Sequence, residues 1–165
     1  MIKEIPKPFG TLNVGKAITI KDPSYSNENP SVLRGLKVSP GQYTGYVEFV
    51  SSEKWARRIS TFQLMKGKLK PTFSKKNKKW KAKNQLVGVD CGMLSVCSAI
   101  EELNLSCDEY YKLCNKMFHR NYMKYKNLLV FRSGMGDGLY KVYVYKNFKK
   151  EIVGIAIDFT DHPLW

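Results

Sequence analysis

The run QYTGYVEFV (42–50) constrains this chain more than any other stretch. Side chains two apart share one face of a strand. Tyr43, Gly45, Val47 and Phe49 therefore fall on one side, and Thr44, Tyr46, Glu48 and Val50 on the other. RISTFQLM (58–65) repeats the rhythm, with Ile59, Thr61, Gln63 and Met65 opposite Ser60, Phe62 and Leu64. LYKVYVY (139–145) does so again, with Tyr140, Val142 and Val144 on one face. KAITI (16–20) and VLRGLKV (32–38) are β-branched runs bounded by DPSYSNENP and Pro40-Gly41. QLVGVD (85–90), LLVFRS (128–133) and IVGIAIDF (152–159) also read as strands, the last closing a hairpin through NFKKE.

One helix is signalled. Ser106 to Glu109 fits a capping box, and Tyr110, Leu113, Cys114, Met117 and Asn121 recur at helical spacing. Lys112, Lys116, Arg120 and Lys124 recur every four residues and form a basic row on another face. The helix is expected over about 106–125, with a shorter one around Ala99–Leu103. The order implies an α+β fold. It has a mainly antiparallel, two-layer or sandwich-like sheet, one main helix and a C-terminal β-hairpin. No linker or repeat divides residues 1–165, so one domain is expected.

Several short elements carry a resemblance. KDP (21–23), VSPGQYTGYV (38–47), the pair Arg57-Arg58, VGVDCG (87–92) and SGMGDGLYKVYV (133–144) resemble an uncharacterised bacterial and phage family, a domain of unknown function. Its elements are P-G-x-Y, V-D-x-G and S-G-x-G-D-G-x-Y. The resemblance implies a fold, no established activity and no catalytic residues.

The net charge is +14, and of 28 basic residues only five are arginine. Such charge implies an anionic partner, and lysine suits point contacts with phosphate more than bidentate base reading. Abundant Lys, Asn, Tyr and Ile also fit an AT-rich genome, that of a phage or low-GC bacterium. The stretch 66–83, KGKLKPTFSKKNKKWKAK, holds nine lysines and no acid. It is expected to form an exposed basic loop at about 66–84. Lys66, Lys68 and Lys70 come first, then Lys75, Lys76, Lys78 and Lys79, then Lys81 and Lys83, with Phe73 and Trp80 interleaved.

Two readings of these lysines compete. One is a solvated loop that keeps the chain soluble. The other is a phosphate-binding surface shared with Arg57, Arg58 and the helix row, with lysines 146, 149 and 150 added from the tail and bases stacked on Trp80 and Phe73. Trp80 could equally anchor the loop in the core. The second reading makes the protein a non-enzymatic binder of RNA or single-stranded DNA with little sequence specificity. An alternative is a protein-interaction module, such as a phage-encoded inhibitor of a host protein or an immunity-type partner, docking an acidic surface.

Other candidates are weaker. The cluster Gly134 to Gly138 precedes a strand, not the helix a phosphate loop needs, so it reads as a turn or bulge. Cys91 with His119 or His162 lacks any sequence signal that brings base to thiol. Asp22, Asp90, Asp137 and Asp158 could converge as a metal or acid–base site, but aspartate is common at turns. Four cysteines without a C-x-x-C pair read as reduced thiols. No cofactor and no metal are expected. The start MIKEIPKPFG lacks a secretory signal and no apolar run spans a bilayer, so a cytoplasmic location is expected, the host's if the gene belongs to a phage.

Overall fold

The computed structural model describes residues 2–53, 56–99 and 105–160. The strands are β1 (Ile2–Lys3), β2 (Lys7–Val14), β3 (Ala17–Lys21), β4 (Leu33–Lys37), β5 (Gly41–Ser51), β6 (Arg58–Lys66), β7 (Trp80–Val89) and β8 (Met93–Ser98). Helix α1 (Cys107–Met117) follows, then β9 (Tyr122–Tyr125), β10 (Leu128–Arg132), β11 (Gly138–Lys146) and β12 (Ile152–Asp158). The fold is α+β, mostly antiparallel sheet with a single short helix among the described residues, and β11 and β12 form the C-terminal hairpin.

Two sheets form. The larger runs β1-β5-β6-β12-β11-β7, with β2 also paired to β5, and the smaller runs β4-β3-β8-β10-β9. Their facing sides share one core, in which Val47, Phe62 and Ile157 of the large sheet meet Ile20, Leu94 and Leu129 of the small one. Phe62 and Phe131 stack across the sheets at 4.0 Å between ring centroids. Gly10 and Gly45 pair on β2 and β5 and leave a hollow beneath Leu129. A Cβ on Gly45 would come within 2.6 Å of the Leu129 Cδ1, and one on Gly10 within 2.7 Å of its Cδ2. These glycines are there for closeness of approach, not for a turn.

Each sheet also has a covered outer face. α1 lays Leu113 and Met117 on Met93, Cys97, Leu128 and Val130 of the small sheet. Its start carries the expected capping box between Ser106 and Glu109. It ends after 11 residues, well short of 125. Arg132 explains the stop: its Nε donates to the Arg120 carbonyl (3.1 Å) and its Nη2 to that of Met117 (3.0 Å). A guanidinium thus satisfies carbonyls the helix end leaves open. Lys124 consequently sits on β9, not on a helical row. The shorter helix around Ala99–Leu103 falls largely outside the described residues. No described helix is long and apolar enough to cross a membrane.

The outer face of the large sheet is covered by the lysine segment. The strand begins at Trp80, so the loop is residues 67–79 and not the full 66–84. Trp80 and Ala82 alternate with Lys81 and Lys83 and pair with Tyr145 and Tyr143 of β11.

Overpacking a core costs about 1–3 kcal/mol. Gly45→Ala should cost that much in urea denaturation, and Leu129→Ala about 2–5 kcal/mol. Gly45→Ala introduced into Leu129→Ala should cost less than it does alone, because the colliding methyl is gone.

Candidate nucleic-acid interface

Strand register decides which cations meet. At one end of the large sheet β5 and β12 begin, β6 and β11 end, and β7 begins: Tyr43 pairs with Lys66, Met65 with Gly154, Lys146 with Ile152 and Tyr145 with Trp80. Lys66, Lys81 and Lys83 are brought there, together with Lys146, Lys149 and Lys150 of the last hairpin. Lys37 joins them from the end of β4, beside a cleft of about 580 Å3 that Arg34, Lys83, Lys146 and Lys150 also line. The acid lining this cleft is Glu151, whose carboxyl is lowered by hydrogen bonds from Asn147 and Ser39. At the tip of the hairpin Phe148 is 91% exposed, with the Lys149 ammonium 5.8 Å from its ring centre.

The loop is pinned. The Phe73 amide donates to Gln63 Oε1 (2.9 Å), and its ring packs on Trp80 and Tyr143. Lys75 pairs with the buried carboxylate of Asp158 at 2.9 Å. Lys68, Lys70, Lys76, Lys78 and Lys79 are exposed and carry no ion pair among the described residues. Lys66 donates to Ser39 Oγ at 2.6 Å.

Three expectations need correction. Trp80 is 5% exposed, held among Met65, Ala156, Tyr145 and Phe73, so it is the loop's anchor and offers no face to a base. Phe73 is half-buried in the same cluster. The helix lysines Lys112 and Lys116 lie on the outer side of the small sheet, whereas the loop covers the outer side of the large one. Two packed sheets separate them, and they do not form one face. Arg57 and Arg58 stand at the opposite end of β6 from Lys66, about 26 Å away at ~3.3 Å per residue. Arg57 is gripped by Glu4 and lies 3.5 Å from the Phe49 ring centre; Arg58 donates to the Gly134 carbonyl at 3.1 Å. Phe148, which no spacing rule singled out, is an exposed aromatic among the lysines of this end. The sequence signal for it is its place in the NFKKE turn, at the hairpin tip beyond the last strand pair.

The motif turns prove to be tied together. Asp22, fully buried, accepts from the amides of Asp90 (2.7 Å) and Cys91 (2.8 Å), the Cys91 thiol (2.9 Å) and the Ser24 hydroxyl (2.6 Å). Asp137 accepts from the Gly92 amide (3.1 Å). Gly134 follows with φ +64°, and a Cβ there would meet the Ile59 carbonyl oxygen at 2.2 Å. Burial pushes the Cys91 thiol up to about 12, helped by the Asp22 carboxylate. That is the reverse of an activated nucleophile. His119 packs edge-on to Phe118, and His162 lies outside the described residues. Asp158 is engaged with Lys75 and Thr160, away from the Asp22 cluster. Among the described residues no group of three His, Cys, Asp or Glu side chains is placed to hold a metal ion.

Compared with known proteins, the chain matches no family model, no curated protein and no solved structure. The resemblance drawn above therefore stands on its short motifs alone.

Phe73→Ala should release the loop: limited trypsin digestion, mapped by mass, should cut within 67–79 at least several times faster than in the parent, with the sheets intact by circular dichroism. Burial raises the Asp22 pKa, but the hydrogen bonds from Cys91, Ser24 and the two amides outweigh it, so the folded value is lowered from 3.8. Its contribution to stability is thus fully present above the ordinary carboxylate range and is lost as pH falls through the folded value. Asp22→Asn should cost about 1.5–3 kcal/mol at pH 7 in denaturant titrations. The gap to the parent should narrow as the pH falls through that range.

Proposed function

We propose that the protein is a non-enzymatic binder of nucleic acid that grips the phosphates of RNA or single-stranded DNA with little sequence specificity. The observation that carries this reading is the meeting of lysines from several chain segments at one end of the large sheet, around the exposed ring of Phe148. Lysines crowded without matching carboxylates repel one another, and a polyanion relieves that repulsion while releasing its counterions. The loop lysines extend the cationic surface over the neighbouring outer face. Their backbone is pinned by Phe73, Trp80 and the Lys75–Asp158 pair, so less ordering entropy is lost on binding. Phe148 takes the stacking role that Trp80, being buried, does not fill. An exposed ring beside lysines suits unpaired bases, each stack contributing about 1–3 kcal/mol.

Filter binding with single-stranded RNA, single-stranded DNA and a duplex tests this. With about four to five phosphates contacted, log affinity should fall with log salt at a slope of roughly −3 to −4. Replacing Lys79, Lys81, Lys149 and Lys150 by Gln should weaken binding and flatten the slope, whereas Lys112→Gln with Lys116→Gln should change little. Phe148→Ala should weaken single strands by about 1–3 kcal/mol and spare the duplex. Affinity indifferent to salt, or a partner retained from lysate after nuclease treatment, would speak for an acidic protein surface instead.

A further inference from the structure

The end of the fold away from the lysines holds four of the chain's five arginines around one cleft of about 570 Å3. Arg57 and Arg58 stand at the start of β6, Arg132 closes β10, and Arg120 lies in the turn after α1. The described lining contains no carboxylate, and a space of this size suits a nucleotide-sized ligand. The cation type differs from that of the other end, where lysine dominates. Arginine presents a planar fork that matches phosphate oxygens in pairs.

Three of the four guanidiniums are held before any ligand arrives, Arg57 by the Glu4 carboxylate just outside the lining. Arg132 is fixed through Nε and Nη2 by the carbonyls at the end of α1, and among the described residues its Nη1 amino group has no acceptor. Arg58 is held on the Gly134 carbonyl at 3.1 Å. Arg120 makes no side-chain hydrogen bond or ion pair among the described residues. Beside it Phe118 is 72% exposed, braced edge-on by the His119 ring at 4.7 Å. A cluster of guanidiniums with an aromatic ring at its rim, and no acid in its lining, is built for an anion that also carries a flat ring.

We propose that this cleft binds a phosphate monoester attached to a nucleoside, with the phosphate on Arg120 and Arg132 and the base on Phe118. The ester could come from a free nucleotide or from the 5′-phosphorylated end of a strand. Because the residues differ from those of the lysine end, this site stands or falls separately from the binding mode proposed above.

Calorimetric titration with inorganic phosphate, AMP and ADP, and with short oligonucleotides bearing a 5′-phosphate or a 5′-hydroxyl, separates the sources. Saturable binding of AMP or ADP without a 5′-phosphate preference among oligonucleotides assigns the free nucleotide. A 5′-phosphate preference that AMP does not compete away assigns the strand end. In either case Arg120→Gln should weaken binding about 10- to 100-fold, and Phe118→Ala should weaken the nucleoside-bearing ligands while sparing inorganic phosphate. Among the described residues Arg120 bears no hydrogen bond from its side chain, so its variant should melt with the parent. Lys149→Gln with Lys150→Gln should leave this binding unchanged. Absence of saturable binding by all three small ligands together with equal affinity for both oligonucleotide ends overturns the proposal. So does wild-type affinity in both the Arg120 and Phe118 variants.

Discussion

Everything in this fold depends on how closely the two sheets can approach. Leu129 descends from β10 into the hollow left by Gly10 and Gly45, and next to it Phe62 and Phe131 lie nearly parallel, 8° apart. Core packing tolerates few voids, so this contact sets the spacing for the other facing side chains. Once the sheets are fixed, every strand end is fixed too. The cations gather at strand ends and turns, and the charge distribution follows from the core.

The cations are distributed unevenly: lysine dominates one end of the large sheet, and four arginines line the cleft at the other. Lysine, with a flexible stem and a strongly hydrated head, sits on the loop, the β7 edge and the last hairpin. Four of the five arginines, which can give several hydrogen bonds in fixed directions, are used at the other end, where they also close the helix and brace the glycine turn. Arg132 serves the fold through α1 and Arg58 through Gly134. The same guanidiniums shape the cleft. Structural use and ligand use need not conflict, since each fork has five donors.

The outer faces show how a sheet buried on both sides can read as half-polar in sequence. In β6 the residues Thr61, Gln63 and Met65 look solvent-facing, yet all are buried, because the loop lies across them. The Gln63 side chain accepts the Phe73 amide and so turns a polar position into a latch. The basic stretch is therefore part of the fold as well as a bearer of charge.

The period-two runs at 42–50, 58–65 and 139–145, the capping box at Ser106 and the closing hairpin were legible in the residues, and with them the α+β class. Local chemistry suffices there: alternation and capping act between near neighbours. β2 is not legible because Pro8 and Gly10 interrupt its rhythm, and the residues imply a longer helix because lysine spacing continues past the point where Arg132, distant in sequence, takes its carbonyls. Whether Trp80 faced water or core, which lysines shared an end, and that four arginines would ring one cleft depended on register between strands far apart in the chain. Pairing energy is nonlocal, and only the assembled sheets decide it.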